Sequence, residues 1–369
     1  MPSKDNIGIY IHIPFCKSKC PYCNFYSLCD NDIADKYTEK VLLDLEGYGK
    51  KFNCVADTLY IGGGTPPLLG ADNLVKIIAT AKKNFSITAD AEITCEVNPA
   101  SADKDFFEKI FKSGVNRISM GVQSGVDSEL ISLGRKHDTK QVIETVKNAK
   151  DAGFSNISLD LMIGIPNQTL ESLQKSIDFL ISLNPTHISA YLLKIEPDTC
   201  FGKNMPNNLP DEELSADLYE KTVEILDKKG YYQYETSNFA KKGFESKHNL
   251  KYWHCEEYLG IGPSAHSFID GERFYYSSNI SDYISGDNPV SDGNGGDFEE
   301  YAMLNLRLAD GLIFENVRER FNIDIPRNMI KNAKILSTIG LVTLDEASIR
   351  LTPKGQLVSN AVIGKLLDI

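Results

Sequence analysis

The 369-residue sequence lacks several features that mark whole classes of protein. It has no apolar run of about 18 residues, the length that a membrane-spanning helix needs. Its start shows no charged segment followed by an apolar stretch, so no secretory signal peptide is indicated. With 42% hydrophobic and 24% charged residues, the composition is that of an ordinary globular protein. We therefore expect a cytoplasmic chain without a transmembrane segment.

An excess of positive charge is also absent, because the formal net charge is -12. Proteins that bind nucleic acid usually present Lys and Arg to the phosphates, so this balance argues against a nucleic-acid partner. No repeat of solenoid length and no low-complexity tract is visible. The eight cysteines, in a chain without a secretion signal, are interpreted as thiols or metal ligands rather than as a disulfide framework.

In the first part of the chain, short β-branched segments alternate with longer segments of helical period. This alternation predicts an α/β fold with six parallel strands and right-handed crossover helices. The predicted strands are 7–13, 57–61, 91–97, 117–122, 156–163 and 187–193. The predicted helices are 32–50, 71–84, 102–113, 128–133, 140–152, 170–183 and 212–229. Periodicity alone does not distinguish a doubly wound sheet from one that curls towards a barrel.

The pattern changes after about residue 235. Residues 231–239 are aromatic and extended, and a Gly/Asp/Asn-rich stretch at 286–296 predicts a loop and a domain boundary. Beyond it, the pattern predicts a small α+β unit that resembles a winged helix. Its predicted elements are helices 298–308, 314–321 and 327–339 and a hairpin of 341–344 with 348–351. The sequence thus predicts three parts, which are 1–235, 236–290 and 291–369.

Three cysteines, Cys16, Cys20 and Cys23, follow the first predicted strand with the spacing C-x3-C-x2-C. A cubane [4Fe–4S] cluster contains four irons and usually takes four thiolates. With three thiolates, one iron stays open to chelate the amine and the carboxylate of S-adenosylmethionine (SAM). The spacing therefore predicts a [4Fe–4S] cluster that binds SAM and can cleave it to a 5′-deoxyadenosyl radical, while the protein supplies position and seclusion.

A zinc site and three packing cysteines are the alternatives for this loop. Zinc normally needs a fourth Cys or His. His12 lies four residues before Cys16, but a residue on an alternating strand need not face the loop. Cys29 is interpreted as a bystander. The other cysteines are interpreted as small buried residues, namely Cys54, Cys95, Cys200 and Cys255.

Polar or glycine-rich elements also follow the second to fifth predicted strands. In parallel α/β sheets and barrels, ligand sites gather at the carboxyl ends of the strands. The elements are Gly62-Gly63-Gly64-Thr65-Pro66, Glu96, Gln123, Arg135 and Asp160. Each alone has a structural explanation, such as a tight turn, a strand-end cap or a solvated side chain. Together they predict the ammonium acceptor, ribose acceptors and carboxylate partner that a SAM-sized ligand requires.

These motifs resemble those of radical SAM proteins in the oxygen-independent coproporphyrinogen oxidase group. The resemblance runs from Tyr10 to about Leu308 and is carried by Tyr-Ile-His-Ile-Pro-Phe-Cys, Gly-Gly-Gly-Thr-Pro, Glu-Val-Asn-Pro, Met-Gly-Val-Gln-Ser and Leu-Arg-Leu-Ala-Asp-Gly. It implies an incomplete (β/α)6 barrel, followed here by the smaller C-terminal unit. It also implies SAM contacts for Tyr10, Gly63, Gly64, Thr65, Glu96, Gln123, Arg135 and Asp160.

The group has two branches, and the sequence resembles the heme chaperones more than the oxidases. The oxidases carry a fourth cysteine where this chain has Phe25, and a longer extension than the nine residues that precede Tyr10. The segment His248-Asn-Leu-Lys-Tyr-Trp is similar to the H-N-x-x-Y-W heme motif of the chaperone branch. An imidazole can ligate heme iron, and aromatic rings can pack on a porphyrin.

A buried, capped histidine beside a core Tyr–Trp pair is the alternative for His248. The other candidates for an axial heme ligand are His254, Cys255 and His266.

The resemblance leads us to expect a cytoplasmic chaperone that binds heme, carries the cluster and SAM, and delivers heme to client hemoproteins such as respiratory enzymes. It further implies that cluster and SAM gate or stabilise the assembly, through a homodimer or through peripheral docking at a membrane surface. The main alternative is an enzyme that oxidatively decarboxylates coproporphyrinogen III to protoporphyrinogen IX. A radical SAM enzyme acting on tRNA, or a DNA-binding regulator, is disfavoured by the acidic charge.

Overall fold

The fold is built on six parallel strands that stand side by side in chain order. The computed structural model describes residues 6–369. The strands are β1 (Ile7–Ile13), β2 (Val55–Gly63), β3 (Ser86–Val97), β4 (Arg117–Gln123), β5 (Asn156–Ile163) and β6 (His187–Leu192). β3 begins before residue 91, where the predicted strand began. The prediction missed its first residues because they are exposed or half-buried and give little apolar signal.

Helices connect these strands and pack on their outer face. They are α1 (Ala34–Phe52), α2 (Ala71–Asn84), α3 (Lys104–Ser113), α4 (Asp127–Ser132), α5 (Thr139–Asp151), α6 (Leu170–Ser182), α7 (Cys200–Lys203) and α8 (Glu212–Lys228), and a 3-10 turn, Pro66–Leu69, precedes α2. Side-chain caps fix several starts: Asp138 and Thr169 form reciprocal capping boxes at α5 and α6. The helices predicted from the sequence are confirmed. The short α7 was not predicted.

The six-stranded sheet is curled but does not close on itself. β1 and β6, the first and last of the six strands, do not pair with each other. β1 pairs instead with β9 (Tyr258–Ile261), and β6 pairs with β8 (Asn238–Ala240). A doubly wound sheet reverses its strand order at a switch point, whereas here β1 to β6 follow one another without reversal. The incomplete (β/α)6 barrel is therefore confirmed.

Further strands extend the sheet on both sides. They are β7 (Tyr232–Glu235), β10 (His266–Ile269), β11 (Glu272–Tyr275) and β12 (Val290–Asn294), and helices α9 (Lys247–Trp253) and α10 (Ile280–Ser285) lie between them in the chain. β12 falls in the stretch 286–296, where a loop was predicted. That prediction is wrong for these residues, because an exposed edge strand with a single apolar residue, Val290, gives no alternating pattern. The division of the chain at this stretch stays a prediction.

The C-terminal residues form a smaller α+β unit with its own apolar core around Val317, Ala333 and Ile349. Its elements are α11 (Phe298–Asn305), β13 (Leu312–Ile313), α12 (Phe314–Phe321), α13 (Arg327–Thr338), β14 (Val342–Leu344), β15 (Ser348–Leu351), α14 (Pro353–Leu357) and α15 (Ser359–Leu367). β13, β15 and β14 form a three-stranded sheet. The predicted helices and hairpin are confirmed. Between residues 6 and 369, no helix is both long and apolar enough to cross a membrane.

Candidate cofactor-binding site

The three cysteines of the C-x3-C-x2-C motif lie on a loop that leaves the carboxyl end of β1. Hydrogen bonds between main-chain atoms close this loop, because the amide of Cys16 donates to Leu28 O (2.8 Å) and that of Leu28 to Pro14 O (2.7 Å). Cys16, Cys20 and Cys23 are each partly buried and line the same cavity of about 350 Å³. The loop therefore presents three thiols to one shared cavity.

Hydrogen-bond donors reach the sulfur atoms of Cys16 and Cys20, whereas the burial of Cys23 favours its neutral thiol form. Arg135 Nη1 donates to Cys20 Sγ (3.4 Å), and Thr65 Oγ1 donates to Cys16 Sγ (3.6 Å). Burial raises the pKa of Cys23, and the neighbouring Cys20 and Cys16 raise it further. Iron binding requires thiolates, so the nearby guanidinium favours the form that a cluster needs.

His12 is not placed to be a fourth ligand at this loop. Its Nε2 lies 2.9 Å from the carbonyl oxygen of Tyr26, and its Nδ1 lies 2.9 Å from the hydroxyl of Tyr10. A carbonyl only accepts, so Nε2 carries the proton and Nδ1 accepts from Tyr10. In the described part of the chain, no three His, Cys, Asp or Glu side chains converge as they would around a single metal ion. The ligands of a cubane need not converge in this way, because each binds a different iron.

The glycine-rich turn after β2 lies directly against the cysteine loop. The amide of Gly64 donates to Ile13 O (2.8 Å), and that of Thr65 donates to Phe15 O (2.7 Å). A Cβ atom at Gly64 would lie 2.6 Å from Phe15 O, which is too close for any side chain. The glycine is therefore required for the approach of two backbones.

Two partly buried carboxyl groups line the same cavity as the cysteines. Both oxygens of Glu96 are engaged, with Tyr60 Oη at 2.7 Å and the amide of Gly63 at 3.0 Å. Burial raises the pKa of Asp160 to about 7, and the neighbouring Glu96 contributes to the rise. Asp160 Oδ1 is buried without a hydrogen-bond partner. Such an atom is costly unless a donor reaches it, and a ribose hydroxyl of SAM is a suitable donor.

Arg135 connects the cysteine loop with the ends of β3 and β4. Its Nη2 donates to Asn98 Oδ1 (2.6 Å) and to Gly121 O (2.7 Å), while its Nε is buried without a partner. Asn98 in turn donates to Thr65 Oγ1 (2.8 Å). Asn98 was missed as a site residue, although it stands in Glu-Val-Asn-Pro, because Asn before Pro is also a common turn signal.

Most of the residues that the sequence assigned to SAM meet at this cavity. Those that line it are Gly63, Gly64, Glu96, Gln123, Arg135 and Asp160. Thr65 lines an adjoining cavity that shares Cys20, Asn98 and Arg135 with the first. Tyr10 lies deeper in the barrel, with its hydroxyl on His12. The donor set and the unpartnered Asp160 oxygen fit a SAM-sized ligand, and the individual contacts stay predictions.

The candidate heme motif lies at the other end of the barrel, near the starts of the strands. His248 of α9 is buried, with Nδ1 2.8 Å from Thr58 Oγ1 and Nε2 2.8 Å from Tyr252 Oη. Its ring stacks on Tyr60, and burial lowers the pKa of His248 to about 3, with Lys251 contributing. The imidazole is therefore neutral and has both nitrogens engaged.

This conformation is the buried histidine that the sequence left as an alternative. Heme ligation by His248 stays a prediction, and it requires the ring to leave both partners. Among the other candidates, His254 is half-buried, Cys255 is buried, and His266 is exposed and stacked on Tyr275 with ring centroids 5.1 Å apart.

Comparison with known families and proteins shows which families the chain matches. The sequence profile of the Radical SAM superfamily matches residues 10–180, and that of the HemN C-terminal domain matches residues 297–358. The chain is 35% identical to the heme chaperone HemW of Bacillus subtilis (strain 168), over 97% of this chain and 98% of the relative. It is 40% identical to the heme chaperone HemW of Escherichia coli (strain K12), over 72% of this chain and 71% of the relative.

One solved structure shares the fold across nearly the whole chain. It is the coproporphyrinogen III oxidase HemN of Escherichia coli, described as a radical SAM enzyme, with a TM-score of 0.85 and 23% identity. The match covers 98% of this chain and 90% of that one. At this identity, the likeness shows the fold and not the activity.

Replacement of Asp160 by Asn tests the electrostatics of the cavity. The folded pKa of about 7 lies above the ordinary 3.8, so the folded chain holds this proton more tightly than the unfolded chain. The native chain therefore loses stability relative to Asp160→Asn as the pH rises from about 4 to about 7, by on the order of 4 kcal/mol. Thermal unfolding across this pH range checks the trend. Asp178→Asn, at an exposed site, is the control, and parallel curves for all three proteins would contradict the prediction.

Proposed function

Because the chain belongs to the radical SAM family, in the group of the heme chaperone HemW, we propose that it binds heme and delivers it to client hemoproteins such as respiratory enzymes. The observation that carries the proposal is the alignment with HemW of Bacillus subtilis over 97% of this chain, at 35% identity. The three-cysteine loop, whose thiols line one cavity, supports the cofactor part of the proposal.

In this proposal Cys16, Cys20 and Cys23 hold a [4Fe–4S] cluster. The cluster and SAM, when bound, supply one-electron chemistry at the sulfonium of SAM. Arg135 stabilises the thiolate of Cys20, to which it donates a hydrogen bond. The loop closure between Cys16 and Leu28 holds the loop so that its three thiols line one cavity.

The remaining cavity residues would orient SAM. Gly63 and Gly64 bring main-chain atoms close to the cavity, and Glu96 offers a partly buried carboxyl group for an ammonium group. Asp160 has a free acceptor for a hydroxyl group. None of these residues needs to transfer a proton for SAM to bind, so SAM binding alone does not make the chain an enzyme.

Phe25 favours the chaperone over the oxidase. It occupies the position of the fourth cysteine of the oxidases, and its side chain is 66% exposed at the rim of the cavity. An exposed ring offers a surface for an apolar partner and has no ligand atom for iron. We therefore rank the decarboxylation of coproporphyrinogen III as the second candidate function, after heme delivery.

The proposal includes heme, client proteins and a second copy of the chain as partners, with peripheral contact to a membrane surface. It places the protein in the cytoplasm. It includes no nucleic-acid partner, because the net charge of -12 opposes phosphate binding.

Single replacement of Cys16, Cys20 or Cys23 by Ala tests the cluster. Each variant loses one of three thiolates, so iron and sulfide fall well below the roughly four per chain of a full cubane, and the broad visible absorbance disappears. Iron and sulfide analysis after anaerobic reconstitution measures this. Cys29→Ala is the matched control, because Cys29 is an exposed thiol of the same segment. Full iron content in any of the three variants would refute the ligand set.

Heme transfer by the intact chain tests the function itself. The reconstituted chain, loaded with heme, is mixed with a heme-free b-type cytochrome, and transfer is followed through the Soret band. We expect transfer from the chain, and no conversion of coproporphyrinogen III when it is supplied with reductant and SAM. Catalytic formation of protoporphyrinogen IX would contradict the chaperone function and assign the oxidase activity instead.

Replacement of His248 by Ala tests the heme ligand. We expect a changed heme spectrum or a weaker affinity with an unchanged cluster, because the axial ligand is lost. His187→Ala is the matched control: His187 is also a buried histidine of the barrel, hydrogen-bonded to Ser158 and Tyr234. The His187→Ala replacement removes a comparable amount of side-chain packing, but we expect it to leave the heme spectrum unchanged. An unaltered spectrum in His248→Ala would move the ligand to another residue.

A further inference from the structure

The histidine helix α9 is fixed at its start by the barrel. The amides of Lys247 and His248 both donate to the carboxylate of Glu92 on β3, at 3.2 Å each. Lys251, one turn on, donates to Asn6 O (2.8 Å) and forms an ion pair with Asp57 (2.9 Å). These contacts hold the first part of the helix under the starts of β1, β2 and β3.

The end of α9 is fixed by the C-terminal unit. A helix leaves its last carbonyl groups without partners in the helix. Asn305 of α11 donates to Trp253 O (3.1 Å), and Arg320 of α12 donates to His254 O (3.1 Å) and to Cys255 O (2.8 Å). The guanidinium group also places positive charge at the helix carboxyl end, where it is favourable.

The geometry of His248 makes these end contacts important for heme. Both ring nitrogens are engaged inside the barrel, and the side chain is 1% exposed. A porphyrin is too large to reach the ring there, so α9 must move before His248 can bind iron. The bonds from Asn305 and Arg320 are the contacts that tie the end of the helix to the C-terminal unit.

We propose that the C-terminal unit positions the histidine helix, with Arg320 and Asn305 as positioning residues that keep His248 in the barrel until heme is taken up. This inference rests on the proposed ligation of heme by His248. Arg320 itself touches no heme in this scheme. It sets how readily α9 leaves Thr58 and Tyr252.

The test compares Arg320→Ala, Arg320→Lys and Arg318→Ala in the full-length reconstituted protein. Arg318 is the matched control, because it lies on the same helix and pairs with Asp324 rather than with α9. The first readout needs no heme: hydrogen exchange of the amides of 254–256, which close the end of α9. The second is the rate of hemin capture, followed by quenching of Trp253, the only tryptophan of the chain.

We expect exchange to rise on the order of tenfold in Arg320→Ala, because two bonds to a charged group are lost. Hemin capture should become several-fold faster, Arg320→Lys should restore part of the native behaviour, and Arg318→Ala should match the native chain. Exchange in Arg320→Ala equal to that in Arg318→Ala, or capture unchanged or slower, would overturn the proposal.

The two proposals fail in different ways. If exchange rises in Arg320→Ala while His248→Ala binds heme with a native spectrum, the restraint on α9 is real and the heme ligand is elsewhere. If His248→Ala loses the native spectrum while Arg320→Ala exchanges like Arg318→Ala, heme ligation by His248 stands and the positioning role is refuted.

Discussion

The approach of two backbones at the carboxyl edge of the barrel determines the arrangement of the candidate cofactor site. The glycine-rich turn after β2 contacts the cysteine loop closely enough for Gly64 and Thr65 to donate to Ile13 and Phe15. Because this contact fixes the loop, the hydroxyl of Thr65 donates a hydrogen bond to the sulfur of Cys16. The same hydroxyl accepts from an amide at the end of β3, so three strand ends are joined through it.

The two ends of the barrel share buried aromatic and polar side chains. Tyr60 donates to Glu96 beside the cysteine cavity and stacks on His248, with ring centroids 5.2 Å apart. The ring that orients a carboxyl group at one end therefore also packs the histidine at the other. Departure of α9 from the barrel would remove a packing partner from the residue that holds Glu96.

The barrel, and the meeting of the cysteines with most of the polar strand ends at one cavity, could be predicted from the sequence because both depend on local patterns. Buried parallel strands and amphipathic helices have distinct periods, and the spacing of Cys16, Cys20 and Cys23 is visible without a fold. The polar strand ends could be grouped because parallel strands end at one edge. β12 escaped prediction since edge strands carry little apolar signal.

The environment of the histidine could not be predicted in the same way. Thr58 and His248 are 190 positions apart in the chain, and no local pattern reports their hydrogen bond. Motif similarity suggested a heme ligand, with a buried histidine as the alternative, and tertiary packing places the imidazole inside the barrel. The contacts of Arg320 with the end of α9 were equally invisible, because their acceptors are main-chain atoms that every sequence contains.

That last property has an evolutionary consequence. Arg320 and Asn305 donate to main-chain carbonyl oxygens. These hydrogen bonds therefore do not depend on the side chains of Trp253, His254 and Cys255. Those side chains are constrained by other contacts instead, because Cys255 is buried in the apolar core of the C-terminal unit and Trp253 belongs to the His-Asn-x-x-Tyr-Trp motif. Evolutionary change at these positions is therefore limited by side-chain packing and by the motif, and not by the bonds from Asn305 and Arg320.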